Sequence, residues 1–365
     1  MISAKPRFRL APLVLALAAG VAGPVLLTAP QSVQAAGEKE QKVSQKAGKP
    51  LQAAQDLAKK GKMKEALAKV KEAEAVSGKT PFETFKVQEF LLYIYVTTKD
   101  YANASKAMEA TLDSEFLDPG EKTKRLKNIA QINYQSKNYP KAVEVGSRYL
   151  KAAPGDAEMH LMVGQAYYLQ QDFANAATAV GAAVAAVEKS GGKPKEEWLK
   201  LIMSAEYERK NDAGVTAALE KLILTYPSAK YWGDRISTLQ RAPGLNDRLN
   251  LEIYRLALAT GGMEGPDEYV EMAELALQAG LPGEARSVLE KGFAAQVLGG
   301  QDKDRQTRLL GMAKEQSATD EKSLGAVEAE AAKAPTGEPL LKTGEAWLSY
   351  GQNDKAVAAI EAGVA

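Results

Sequence analysis

Apolar positions along this chain fall into paired runs of helical period, each pair divided by a short polar turn. The clearest pair spans Ala157 to about Glu188: Val163, Gly164 and Tyr167, the turn Gln171-Asp172-Phe173, then Ala176, Val180 and Ala183. The run before it has the same layout: Ile129 and Ala130, the turn Lys137-Asn138-Tyr139, then Ala142 and Tyr149, closing at Pro154. Asn138 to Asp172 is 34 residues, and so is Ala142 to Ala176. Two helices and a tight turn recurring at that period predict a stack of helical hairpins, because a single hairpin cannot bury its own apolar face.

The turn recurs through the chain. It appears as Gly61-Lys62-Met63 before Ala66, Val70 and Ala73, and as Lys99-Asp100-Tyr101 after Leu91 and Tyr95. Both intervals, Lys62 to Asp100 and Asp100 to Asn138, are 38 residues, and Ser114 to Glu121 with its Asp118-Pro119-Gly120 turn takes up the later surplus. Lys210-Asn211-Asp212 follows 39 residues after Asp172, across the loop Ser190 to Pro194, and Tyr226-Pro227 closes that unit. Two later pairs are centred on Leu281 (Tyr269, Met272, Ala273, Ala276, Ala285, Leu289) and Gln352 (Leu340, Gly344, Trp347, Ala356, Ile360). The gaps between them, 228–265 and 299–334, each have room for one divergent hairpin. The first breaks at Pro243-Gly244; the second is expected to be a charged, alanine-rich helical pair breaking near Ser317 to Asp320. The expectation is an array of about five hairpins over 51–227, then about four over 228–365, two of them degenerate.

The Val163-Gly164, Tyr167, Ala176, Val180 and Ala183 pattern resembles the tetratricopeptide repeat (TPR) superfamily, over residues 50–365. The resemblance implies an all-α, right-handed α-solenoid of about nine hairpins, with a concave groove lined by the first helix of each. Such grooves hold extended peptides or partner helices. By that register the groove-facing positions are Lys124, Lys127, Gln131, Tyr134 and Gln135 in the third hairpin. In the fourth they are Glu158, Leu161, Gln165, Tyr168 and Leu169, and in the fifth Glu197, Lys200, Ser204, Tyr207 and Glu208. Tyr134, Tyr168 and Tyr207 share one register position; Gln131, Gln165 and Ser204 share another. A tyrosine row beside amides and hydroxyls suits a peptide backbone. The other reading is that the rings pack between neighbouring helices. The lysine–asparagine clamp with which some TPR domains take C-terminal carboxylates is not matched, since Gln131 follows Lys127 and the next hairpin offers Leu161 and Gln165.

The amino terminus carries a different signal. Lys5, Arg7 and Arg9 precede an apolar run from Leu10 to Leu27, and Val33-Gln34-Ala35 sets small residues where a signal peptidase cuts. Residues 1–35 are therefore read as an export signal cleaved before Ala36. An uncleaved inner-membrane anchor over residues 10–27 is the alternative, which Pro12, Gly20, Gly23 and Pro24 weaken. A polar linker is expected over 36–50. The stretch Tyr269 to Gly292 also looks like exported TPR proteins of Gram-negative bacteria, which implies the periplasm.

Composition narrows the chemistry. The chain has no cysteine, one histidine and a net charge of +1. Thiol nucleophiles and thiolate metal sites are excluded, and no basic excess draws the protein to nucleic acid. His160 occupies a packing position with no second ligand or nucleophile placed beside it. Trp198, Trp232 and Trp347 read as core. The glycine pairs at 191, 261 and 299 precede no Lys-Ser/Thr, so they are turns and not phosphate loops. No enzyme, metal or cofactor is expected. The leading expectation is a scaffold for protein partners of the bacterial cell envelope; the alternative is a subunit that binds an extended polysaccharide or peptidoglycan strand. The last residues, Ala356 to Ala365, are apolar without a polar closing helix, so the expectation is that a partner or a second copy covers that hairpin or that the chain is shortened there, self-association being one of these readings.

Overall fold

A computed structural model describes residues 42–263 and 265–365, so the export signal and the start of the linker lie outside the described residues. The described residues form seventeen α-helices and no strand. The chain divides into two compact units, the second starting at Leu219. In the first, α1 (Gln45–Lys59) pairs with α2 (Met63–Glu74), α3 (Pro81–Thr97) with α4 (Tyr101–Thr111), α5 (Pro119–Gln135) with α6 (Tyr139–Ala152), and α7 (Ala157–Leu169) with α8 (Phe173–Lys189). Next come α9 (Glu196–Glu208) and α10 (Asp212–Thr225), and the division falls inside α10. The second unit contains α11 (Ala229–Leu239), α12 (Asp247–Thr260), α13 (Pro266–Gln278), α14 (Pro282–Ala294), α15 (Lys303–Ala331), α16 (Glu338–Ser349) and α17 (Asn353–Val364). Within each unit the helices pack mainly as successive TPR-like hairpins.

The recurring turn has one backbone solution. The residue just before each turn position takes a left-handed conformation: Gly61, Lys99, Lys137, Gln171, Lys210, Gly280 and Gly351, with φ between 56° and 76°. In all seven, the following N–H donates back to the carbonyl five residues earlier, as Asn138 N–H does to Asn133 and Asp172 N–H to Tyr167. That bond satisfies a carbonyl left free at the helix end and aims the chain back along itself. Asp100 and Asp172 then cap the next helix, accepting from the N–H of Asn103 and Asn175 at 3.2 Å. Four of the seven positions carry a lysine or glutamine, which is strained there, whereas glycine is not. Lys137→Gly is therefore expected to raise stability by about 0.5–1 kcal/mol, and Gly280→Ala to lower it by a similar amount, as read by chemical denaturation.

Small residues set the distance between paired helices. A Cβ on Gly164 would meet Val180 Cγ2 at 2.5 Å and the Val180 backbone nitrogen at 3.0 Å; one on Gly344 would meet Ile360 Cγ1 at 2.5 Å. Each unit has its own core, from Leu51 to Val163 in the first and from Leu251 to Ala359 in the second. Trp198 and Trp347 are buried, as expected, and Trp232 is half-buried.

Two expectations fail. The linker was expected to reach Pro50, but α1 begins at Gln45 and runs through that proline. Ser44 caps the helix, accepting from Ala47 N–H, and Ala47, Leu51 and Ala54 are buried, so packing outweighs the hydrogen bond that Pro50 cannot donate. The Ser44 N–H in turn donates to the buried Glu83 carboxylate at 2.7 Å, tying α1 to the start of α3. The second failure is the expected helical pair at 299–334, which is one helix of 29 residues. Ser317 to Asp320 reads as a break because its side chains compete for backbone. In the fold those groups are satisfied within the helix and from outside: Ser317 Oγ donates to the Lys314 carbonyl at 3.0 Å, and Tyr350 OH lies 2.7 Å from Asp320 Oδ2. Among the described residues the array therefore holds eight hairpins and one long helix, where about nine hairpins are expected.

Candidate functional site

The groove-register residues lie on α5, α7 and α9, the first helices of three successive hairpins. Their two register rows interlock. Tyr134 OH on α5 donates to Gln165 Oε1 on α7 at 3.1 Å, and Tyr168 OH on α7 sits 2.8 Å from Ser204 Oγ on α9. Each rung thus joins the tyrosine of one hairpin to the polar residue of the next. The rings are braced from within their own hairpins, Tyr134 edge-on to Tyr139 at 5.7 Å and Tyr168 edge-on to Phe173 at 5.2 Å. Burial, helped by neighbouring Tyr139, pushes the Tyr134 hydroxyl up to about 12, so it stays a donor at every physiological pH. Gln165 and Ser204 are buried, as is Leu161, so these three register positions are internal ties and not groove surface.

The lysines are also engaged. Lys127 Nζ lies 2.7 Å from Asp156 Oδ2 and 5.6 Å from the centre of the Tyr149 ring. Asp156 caps α7, accepting from Met159 N–H at 3.0 Å, and takes the Tyr149 hydroxyl at 2.8 Å. One carboxylate thus joins α5, α6 and α7. Its partner Lys127 is held above the ordinary lysine value by that hydrogen bond. Lys124 pairs with Glu121 at 2.6 Å, which also raises its pKa, and Lys200 pairs with Glu196 at 2.6 Å. Glu158 lies 3.4 Å from Lys195. The lysines of this face are thus each paired with a neighbouring carboxylate.

What remains open is a mixture of apolar and polar side chains. Tyr207, at the tyrosine register position of α9, is 43% exposed, and Leu169 at the end of α7 is 39% exposed. Gln131 is half-buried, while Gln135, Glu197 and Glu208 are exposed. His160 is half-buried, with Nε2 3.0 Å from the Pro154 carbonyl. Among the described residues no group of acidic residues and histidine has the arrangement of a metal site, and no helix is long and apolar enough to cross a membrane.

The register rows were legible in the sequence, but their interlocking was not, because a repeat fixes equivalent positions and not the contacts between neighbours. Asp156 was missed altogether; its signal was an aspartate one residue before a helical run.

No protein-family model and no curated protein matches the chain. Among solved structures it is similar to MamA from Desulfovibrio magneticus RS-1, at 17% identity and a TM-score of 0.29, covering 49% of this chain and 96% of that one. It is similar to YrrB, a TPR protein with an unusual peptide-binding site, at 13% identity and a TM-score of 0.32, covering 50% and 87%. A tetratricopeptide repeat protein from Parabacteroides merdae is similar at 16% identity and a TM-score of 0.31, covering 74% and 100%. At these identities no statement about function rests on the likeness. The seven equivalent turns and the glycine-packed hairpins make this chain a TPR-like helical repeat protein.

Proposed function

We propose that this chain is a non-catalytic scaffold of the bacterial cell envelope, and that the α5–α7–α9 face of its first unit grips a peptide or partner helix. The observation that carries the reading is the division of labour on that face. Its lysines are paired internally, while Leu169 and Tyr207 stay exposed. Such a surface suits a segment with apolar or aromatic anchors more than a highly charged one, and binding should depend only weakly on salt. The polymer alternative loses support here, because Tyr134 and Tyr168 spend their hydroxyls on neighbouring helices. The export-type pattern at the amino terminus supports the envelope setting: Lys5, Arg7 and Arg9, the run Leu10 to Leu27 and Val33-Gln34-Ala35 follow the layout of a secretory signal.

Two measurements test this. The protein recovered from the periplasmic fraction should begin at Ala36; retention of residues 1–35 would favour the anchored form. A photo-reactive side chain at position 169 should crosslink to a defined protein, and Tyr207→Ala should weaken that partner's binding by about tenfold or more. No partner at position 169, or affinity that collapses between low and high salt, would sink the groove reading.

A further inference from the structure

The net charge of +1 hides a division along the chain. Residues 42–218 carry 27 lysines and arginines against 22 acidic residues, whereas 219–365 carry 16 against 22. In the first unit part of the surplus gathers at one edge. Successive hairpins stack in the same sense, so the α1–α2, α3–α4 and α5–α6 turns lie along a common edge of that unit. Lys59, Lys60 and Lys64 flank the first of these turns, Lys99 stands in the second and Lys137 in the third, and all are exposed. Among the described residues none of the five is in an ion pair. The acidic groups nearby are few: Glu65 takes Lys62 at 3.1 Å, Asp100 is occupied as the cap of α4, and Asp56 sits one turn back in α1. The opposite edge is mixed, with Asp113 facing Lys122 at 3.1 Å and Arg148 at 3.8 Å.

Two of these lysines stand where the backbone favours another residue. Lys99 and Lys137 hold the left-handed position of their turns, each with φ of 60°, and glycine is the unstrained choice there. The equivalent turns of the second unit carry that choice, as Gly280 and Gly351. Beside the cations Tyr101 opens α4 and is 38% exposed. The turn tips offer no free backbone donor to a peptide at these positions. The N–H groups following Lys99 and Lys137 are spent on the Tyr95 and Asn133 carbonyls, both at 2.8 Å. Every free cation of the edge is a lysine, a flexible point charge, and not an arginine fork that selects one carboxylate geometry. Unpaired point charges beside an exposed aromatic ring match a diffuse negative layer with an apolar interior beneath it.

We propose that this edge rests on the surface of a lipid bilayer containing anionic phospholipids. The five lysines enter the phosphate layer, and the Tyr101 ring sits at the boundary with the acyl chains. The attachment is peripheral and reversible and needs no membrane-crossing helix. It uses none of the α5–α7–α9 groove residues, so it stands or falls independently of the peptide reading.

The test is flotation with vesicles of phosphatidylcholine alone or with roughly a third phosphatidylglycerol, at about 100 mM salt. The chain from Ala36 is used, which keeps every described helix and omits the apolar run Leu10 to Leu27. It is expected to bind the anionic vesicles at least about tenfold better than the neutral ones, and to leave them at about 500 mM salt. Lys99→Gly with Lys137→Gly should weaken binding at least about tenfold, since each lysine at such a surface is worth about fivefold in partition. The same pair should raise the denaturation midpoint, because glycine relieves the turn, so a loss of binding cannot be laid to unfolding. Tyr101→Ala should weaken binding by a smaller factor. Lys151→Gln with Lys189→Gln, two exposed lysines of the opposite edge, should change it less than about threefold. Equal binding to both vesicles, or the same loss from both lysine pairs, would overturn the proposal. Retention on immobilised polyglutamate without vesicle binding would assign the edge to an acidic protein instead and overturn it as well.

Discussion

Replacing Gly164 with leucine should destabilise the first unit by about 3 kcal/mol, near the top of the range for overpacking, because the neighbour it would strike cannot move away. The contact is partly with backbone: a Cβ there meets the Val180 nitrogen at 3.0 Å and the Ala176 carbonyl at 3.2 Å, as well as the Val180 side chain at 2.5 Å. Val180 is fully buried, so it has no rotamer in which to retreat. Relief requires α7 and α8 to separate, and the rungs from α7 to α5 and α9 would strain with them. Gly181, on α8 of the same hairpin, is the control. Nothing lies within 4 Å of its Cβ position, so Gly181→Ala should stabilise the helix by about 0.5–1 kcal/mol. Gly344→Leu should act in the second unit as Gly164→Leu does in the first. Hydrogen exchange should show the loss of protection centred on α7 and α8 and fading along the stack, since each hairpin leans only on its neighbours. Gly164→Leu melting with the unsubstituted chain would refute the close-approach account.

The repeat was legible because its turns leave a mark in the sequence at every occurrence. Lys137-Asn138-Tyr139 and Gln171-Asp172-Phe173 look alike because both must hold a left-handed residue and then start a helix. The two misjudged segments have no such mark. Pro50 resembles a helix start, and only the burial of Ala47 and Leu51 on its upstream side and within the next turn shows that the helix is already under way. Ser317 to Asp320 resembles a break, and only Arg286 and Tyr350, each about 30 residues distant in the chain, hold it helical. The candidate site divides the same way. The tyrosine row could be seen, but whether a hydroxyl faces a partner or the next hairpin depends on the offset between stacked helices, which sequence spacing does not encode.

That offset makes Asp156 the most consequential polar residue of the first unit. Asp156→Ala removes the cap on Met159 N–H, the acceptor for Tyr149 OH and the partner of Lys127 in one change. The cap alone accounts for about 1 kcal/mol, and the two stranded donors bring the expected loss to about 3 kcal/mol. Asp156→Asn keeps an acceptor for the cap and should lose less. The pH dependence separates the charge from the cap. Burial works to raise the Asp156 pKa, but the hydrogen bonds from Lys127, Tyr149 and Met159 N–H outweigh it and hold the carboxyl below its ordinary value. A carboxyl lowered in the fold adds stability that is fully present above the unfolded value near about 4, and this is lost as pH falls through the folded value. Lys127, raised in the fold, adds stability that is present below the ordinary lysine value and is lost as pH rises through its folded value. The pair therefore contributes across the neutral range and fails at both extremes. Glu83, lowered chiefly by its hydrogen bond with Ser44, steepens the acid limb independently. Denaturation midpoints of the unsubstituted chain and Asp156→Asn should diverge most near neutrality and draw together as pH falls below about 4 through the folded Asp156 value, leaving the Glu83 share of the acid limb in both. A constant difference from acid to neutral pH would mean that the carboxylate charge plays no part in joining α5, α6 and α7.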